Sequence, residues 1–253
     1  MIISIANQKG GVGKTLMSYH IAYLFAEKGK TLVIDLDYQS NLTSYVLKSE
    51  EGKIGKQNDI SNIFNDDVPE PLKIKEDFYL LGASPDLHDF AGKTDFKNFF
   101  KLKNYLEKIK PICNFDYIII DTPPNLGLFS TNSFLASDYI IAPLDSSTSS
   151  ILGFKMLLEI NESMRKELNS GIEVLGCFLN NYADNKADRN ILKEVKAKYP
   201  DLLFKSIVPR TTKIKEANQN FNSIFEVDPK HKASRAIKQL FKEILDRSNK
   251  NGK

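Results

Sequence analysis

An α/β fold, with a doubly wound and mostly parallel sheet flanked by helices, follows from three features of this sequence. Short apolar runs rich in β-branched residues alternate with longer amphipathic stretches, as strands and crossover helices do in a parallel sheet. Several runs are apolar on consecutive residues, as in Val33-Ile34 and Ile118-Ile119-Ile120, which is the pattern of strands covered on both faces. A glycine-rich turn ending in Lys-Thr directly follows the first run, and such folds bind ligands at the carboxyl ends of their strands.

Each element has its own justification. The first strand is expected at 2–6, where Ile2, Ile3 and Ile5 cluster. A helix over 15–28 follows, with Leu16, Ile21, Leu24 and Phe25 apolar and Lys28-Gly29 as its stop signal. Further strands are expected at 31–35, 78–82, 117–121, 139–143, 174–180 and 204–208, from their apolar β-branched content. Helical spacing marks 97–110, 150–168, 187–199 and 231–247. Residues 48–76, rich in Lys, Asp, Glu and Asn, read as a surface excursion with a short helix near 60–64. No internal repeat or linker is evident, and 253 residues suffice for one full core. A single domain over 1–253 is the expectation.

Composition narrows the class. With 42% hydrophobic and 26% charged residues, the chain is neither collagen-like nor largely disordered. No apolar run approaches the roughly 18 residues of a spanning helix. The chain opens directly on strand-like residues without a basic leader or cleavage site, so a cytoplasmic location is expected. Cys113 and Cys177 have no metal-ligand spacing. They allow one disulfide or two free thiols, and a reducing compartment favours thiols. The formal charge of +3 hides an asymmetry: residues 181–253 carry 17 Lys/Arg against 9 Asp/Glu, while 1–180 carry 18 against 23. A basic C-terminal third raises the expectation of a polyanionic partner, although a lysine-rich solvated face has the same composition.

The strongest chemical signal is Lys9-Gly10-Gly11-Val12-Gly13-Lys14-Thr15, between the first strand and first helix. The strict Walker pattern G-x-x-x-x-G-K-[ST] would place a glycine at Gln8. The physics survives that departure: small residues let successive N–H groups curl around a phosphate, at the positive end of a helix. Lys14 is then placed to reach the β- and γ-phosphates, and the Thr15 hydroxyl to ligate Mg²⁺. Two strand ends add carboxylates. One run ends Asp35-Leu36-Asp37 and another ends Ile120-Asp121. An Asp after a buried run emerges at the carboxyl end of its strand, and Asp121 fits the Walker-B role of holding Mg²⁺. Each Asp alone could cap a helix; three elements in the expected order argue against coincidence.

Together, Lys9 with Gly10–Thr15, then Asp35-Leu36-Asp37-Tyr38-Gln39-Ser40, then Asp121-Thr122-Pro123-Pro124-Asn125-Leu126-Gly127 resemble the ParA/MinD family of deviant Walker-motif P-loop ATPases. The likeness continues through Asn132, Asp138, Ile141, Pro143 and Gly153, then Leu179-Asn180-Asn181-Tyr182 and Ile207-Val208-Pro209-Arg210. It is weakest over 48–110 and best for the short, Soj-like ParA branch that segregates plasmids or chromosomes. The resemblance implies a P-loop NTPase fold of the deviant Walker A type, with ATP and Mg²⁺ as cofactors and weak intrinsic hydrolysis. It implies that Lys9 is the lysine that reaches the ATP of a second subunit, a trans cation akin to an arginine finger. It makes Lys14 the phosphate lysine in cis, Thr15 and Asp121 the metal ligands, and Asp37 the carboxylate that positions water, with Asp35 behind it. The nucleotide site would comprise Lys9, Gly10, Gly11, Val12, Gly13, Lys14, Thr15 and Leu16, with Asn181 and Pro209 near the adenine.

Three positions depart from the family pattern. Leu16 replaces a second Thr, Tyr38 stands in place of Pro, and 147–152 lack the usual Glu and aromatics. None removes a catalytic group. For partners, the resemblance implies a homodimer with ATP, non-specific double-stranded DNA and a ParB-like centromere-binding protein, with a nucleoid-associated location. Lys213 and Lys215, following Arg210, stand where the family places DNA-contacting cations, and Lys186, Lys230, Lys232 and Arg235 extend the set. Phosphate contacts of this kind bind without reading sequence. The alternative is a MinD-like membrane-associated positioning ATPase, which needs a free amphipathic tail. The segment 233–247 has the pattern, with Ile237, Leu240, Phe241, Ile244 and Leu245 on one face. Packing on the core is the favoured reading, and no membrane contact is expected. The scattered His20, His88 and His231 suggest no metal site, and His20 is expected to be structural.

Overall fold

A computed structural model describes residues 1–168 and 171–251. The strands are β1 Ile2–Ile5, β2 Thr31–Asp35, β3 Leu72–Lys75, β4 Phe78–Leu81, β5 Tyr117–Asp121, β6 Tyr139–Leu144 and β7 Glu173–Leu179. The α-helices are α1 Lys14–Ala26, α2 Asn41–Leu47, α3 Lys101–Cys113, α4 Leu128–Ala136, α5 Thr148–Leu168, α6 Lys186–Lys198, α7 Thr212–Gln219, α8 Ile224–Val227 and α9 Lys232–Asn251. One sheet has the order β3-β4-β2-β5-β1-β6-β7. Every pairing is parallel except the β3–β4 edge.

The unbroken apolar runs divide alternately between the two faces. Val33, Ile119 and Ile141 pack with α1 and α9 residues such as Ile21, Phe25, Ile237 and Phe241. Their neighbours Leu32, Ile34, Ile118 and Ile120 pack on the opposite side with Leu102, Leu106 and Phe129. Side chains that alternate along strands buried on both faces require this division. The topology places β1 between β5 and β6, so the Lys9–Gly13 turn is flanked by the ends of those two strands.

The structure corrects several expectations. Residues 204–208 form no ladder strand. Leu203 makes an isolated bridge with Cys177, while Phe204 and Val208 donate to the Cys177 and Leu179 carbonyls. Side chains of α9 occupy the groups a longer ladder would use: Glu243 accepts from the Lys205 and Ser206 N–H groups, and Arg247 donates to the Leu202 and Leu203 carbonyls. The 48–76 excursion is less superficial than its composition suggests. Its 3₁₀ turn at Ile60–Asn65 buries Ile60, Ile63 and Phe64, and it ends in the edge strand β3, whose lysines face solvent. The short helices α2, α4, α7 and α8 lack a long apolar period and were not anticipated from spacing. The segment expected to be helical at 97–110 opens as a 3₁₀ turn before α3.

The apolar face of α9 lies in the core: Ile237, Leu240 and Ile244 are fully buried and Phe241 nearly so. Among the described residues no helix is long and apolar enough to cross a membrane. Both cysteines are free, Cys177 buried and Cys113 half-buried, and burial pushes the Cys177 thiol up to about 12.

Candidate nucleotide-binding site

The turn between β1 and α1 is built to present N–H groups. Gly11 and Gly13 have φ of 77° and 90°, a region open to glycine at little cost. Gly13 has a second reason: a Cβ there would stand 2.3 Å from Nδ2 of Asn180. That amide donates to the Val12 carbonyl at 2.8 Å and ties the turn to the end of β7. Asn7 fixes the other side. Its Nδ2 donates to the Pro143 and Ser150 carbonyls, and its Oδ1 accepts the Lys9 N–H at 3.0 Å. The Lys14 side chain folds over the turn, with Nζ donating to the Lys9 carbonyl at 3.2 Å.

Asp121 is fully buried at the end of β5, in register with Asp35 of β2 and Ile5 of β1. Its Oδ1 accepts the Ser18 hydroxyl at 2.8 Å, while Oδ2 is buried without a hydrogen-bond partner. Burial pushes this carboxyl up to about 8 and the charge of Asp35 adds to the rise, against the nearby Thr15 and Ser18 hydroxyls and the Lys14 charge. Burial likewise lowers Lys14, against the pull of Asp121 and Asp37. A carboxylate oxygen left unpaired beside the Thr15 hydroxyl fits a divalent cation. Mg²⁺ needs few protein ligands when phosphate and water supply the rest.

Asp37 is half-buried in the turn after β2. Its N–H donates to Asp35 Oδ1 at 3.0 Å, and its own Oδ1 accepts the Gln39 N–H at 3.0 Å. Asp35 is fully buried, and burial raises it to about 6 despite donors from Thr43 and Asp37. Tyr38 packs edge-on against His88, with ring centroids 5.0 Å apart. Asn181 and Pro209 are brought together: Tyr182 bridges Pro209, with Tyr182 N–H donating to the Val208 carbonyl and Arg210 N–H to that of Tyr182.

Lys9 pairs with Asp145, just beyond β6. Burial would raise Asp145, but hydrogen bonds from Lys9 and Ser147 outweigh it and hold the carboxyl below its usual range. Sequence reasoning missed Asn7, Ser18, Thr43 and Asp145, which lie outside the loop motif. Asn180 was legible only as part of a family string. The signal in each case is a polar residue adjoining or within an apolar run, where burial demands a partner.

The basic residues lie on the C-terminal side. Lys186 opens α6, Lys213 and Lys215 lie on α7, Lys232 and Arg235 on α9, and Arg210 and Lys230 in the adjoining turns. All but Lys213 are exposed, and that one pairs with Glu216 at 2.7 Å. The starts of α7 and α9 meet where Thr211 Oγ1 stands 3.5 Å from His231 Nε2. The Tyr182–Arg210 contact brings the approach to α6 alongside.

Known proteins resemble this chain in both sequence and fold. A family model described as an AAA domain matches residues 1–174. The sporulation initiation inhibitor protein Soj of Bacillus subtilis is 32% identical, over 96% of this chain and 97% of its own. A structure of a putative plasmid partition protein from Borrelia burgdorferi B31, bound to AMPPNP, is 25% identical with a TM-score of 0.80, covering 98% of each chain. Apo McdA of Cyanothece superposes with a TM-score of 0.86 at 23% identity, covering 96% of this chain and 98% of its own. This last likeness establishes the fold.

Proposed function

The chain belongs to the ParA/MinD family of P-loop ATPases, and on that premise we propose that it is a DNA-partitioning ATPase whose ATP-bound dimer coats DNA and leaves it on hydrolysis. In this reading, Gly10–Leu16 would cradle the phosphates, Lys14 would neutralise them, and Thr15 and Asp121 would hold Mg²⁺, which would supply further neutralisation of phosphate charge. Asp37 orients the attacking water, its backbone anchored by Asp35. Asn181 and Pro209 flank the adenine. The protein works as one ATPase domain in the cytoplasm, on the nucleoid, with a ParB-like protein stimulating its turnover.

The observation that carries the reading is Lys9. With Lys14 serving the loop in cis, Lys9 is left over: its side chain is 27% exposed and held in an ion pair with Asp145. Release from Asp145 would free a cation for the triphosphate of a facing copy, where such a group is worth about 10³–10⁵ in rate. The exposed cations of α6, α7 and α9 supply the second half of the proposal, sequence-blind contact with phosphates. The membrane-positioning alternative needs an amphipathic face free for lipid, and the face of α9 is already buried in the core.

Co-sedimentation with double-stranded DNA, with ATP, ADP or no nucleotide across a salt series, tests the reading. Binding that requires ATP, ignores sequence and weakens steeply with salt is expected. Equal binding in all three nucleotide states would overturn it.

A further inference from the structure

Behind the Asp37 turn lies a buried polar chain that neither the motifs nor the comparisons assign. Thr43, on α2, is fully buried, as are Asp35 and Ala83. The Ala83 N–H, just past β4, donates to Thr43 Oγ1 at 2.9 Å. A hydroxyl has one proton to give. Thr43 Oγ1 gives it to Asp35 Oδ2 at 2.8 Å, and the Thr43 N–H reaches the same oxygen at 2.9 Å. The remaining oxygen, Asp35 Oδ1, is thereby turned toward the Asp37 N–H. Gly82 leaves room for Thr43, since a Cβ there would stand 3.0 Å from the Thr43 Cγ2.

We infer that Thr43 is a positioning residue for hydrolysis: its hydroxyl fixes the Asp35 carboxylate, and through it the place of Asp37. The inference rests on the reading of Asp37 as the carboxylate that orients water. Thr43 is fully buried, with its hydroxyl committed to Asp35 and Ala83. Its effect is on geometry, where a displacement of about 1 Å costs on the order of 10²-fold in rate. Among the described residues no hydrogen bond runs from this chain to Lys14 or the glycine turn, and removing an uncharged hydroxyl leaves the charges of Asp35 and Asp37 in place, so nucleotide affinity should change little.

The test compares Thr43→Val, Thr43→Ser and Asp37→Asn, measuring steady-state ATP turnover and the affinity for fluorescent AMPPNP in the same preparations. Thr43→Val should lose about 10²-fold in kcat, with AMPPNP affinity within about threefold. Thr43→Ser, which keeps the hydroxyl, should recover most of the rate. In the Asp37→Asn background, Thr43→Val should cost little more, because its effect passes through Asp37. Thr43→Ala removes the same hydroxyl without added bulk and replaces the valine variant if that one does not fold. Unchanged kcat in the hydroxyl-free variants, a serine variant as slow as valine, or additive losses in the double variant would overturn the inference while leaving Asp37 in its role. Full turnover in Asp37→Asn would overturn both.

Discussion

The two halves of the proposed cycle are held in opposite ways. Around the phosphate turn, polar groups are buried and almost every one has a partner: Asn7, Asn180, Ser18 and Asp35 each make bonds that fix a neighbour. On the C-terminal surface the cations are mostly exposed, and Lys213 has an acidic neighbour in Glu216. The difference follows the chemistry. Phosphoryl transfer depends on placement within fractions of an ångström, whereas a sequence-blind grip on DNA needs only charge density. Single changes should therefore be severe in the first region and graded in the second.

The sharpest contrast is expected at Asp37. Asp37→Ala should lower turnover by about 10²–10⁴-fold, the range for a positioned catalytic carboxylate, while ATP still binds. Single-turnover hydrolysis alongside equilibrium binding checks this, and loss of ATP affinity would remove Asp37 from its assigned role. At Lys14, the change to Ala should weaken nucleotide binding by about 10²-fold, the worth of a charge-assisted contact to phosphate. Titration calorimetry with ATP reads it directly.

His20 lies at the seam between the two regions and responds to pH. Its Nδ1 stands 2.7 Å from the Leu16 carbonyl on the phosphate-turn helix, and its Nε2 accepts the Ile224 N–H at 3.0 Å. That bond requires a neutral ring carrying its proton on Nδ1. Burial drives its pKa down to about 4. Because the unfolded chain takes up this proton near pH 6.5 and the folded one only near 4, stability is intact above 6.5. It falls as the pH drops through that window, by about 3 kcal/mol in all. Thermal melts of wild type and His20→Asn from pH 7.5 to 4 should converge at the acid end. Parallel curves would contradict this account of the seam.

The mildest effect is expected on the exposed side. Lys213→Glu with Lys215→Glu should weaken DNA binding about tenfold and reduce the salt slope by about two, as two lost phosphate contacts would. ATPase activity without DNA should stay unchanged. Fluorescence anisotropy on a DNA duplex across salt measures both quantities, and an unchanged slope would place the DNA surface elsewhere.

How much could be read beforehand follows the same division. The sheet was legible because parallel strands buried on both faces leave unbroken runs such as Ile118–Ile120, and six of its seven strands stand where those runs predict. The phosphate turn was legible because close backbone approach demands glycine at fixed spacing. Edge strand β3 was hidden by its lysines, and 204–208 was misread because α9 side chains satisfy backbone groups that the pattern assigned to a ladder. Thr43 and Asp145 escaped notice for a related reason. Their partners are set by tertiary contact, and a lone Thr in a short helix or an Asp after a strand has many ordinary uses.

One measurement bears most directly on the link between the two regions. Sedimentation equilibrium of Asp37→Ala with saturating Mg·ATP should give about twice the 28.7 kDa chain mass. Adding Lys9→Ala should return it to the monomer without loss of bound ATP. A parent variant that stays monomeric with ATP bound, or a Lys9-deficient one that pairs as well, would contradict the claim that this lysine makes pairing depend on nucleotide.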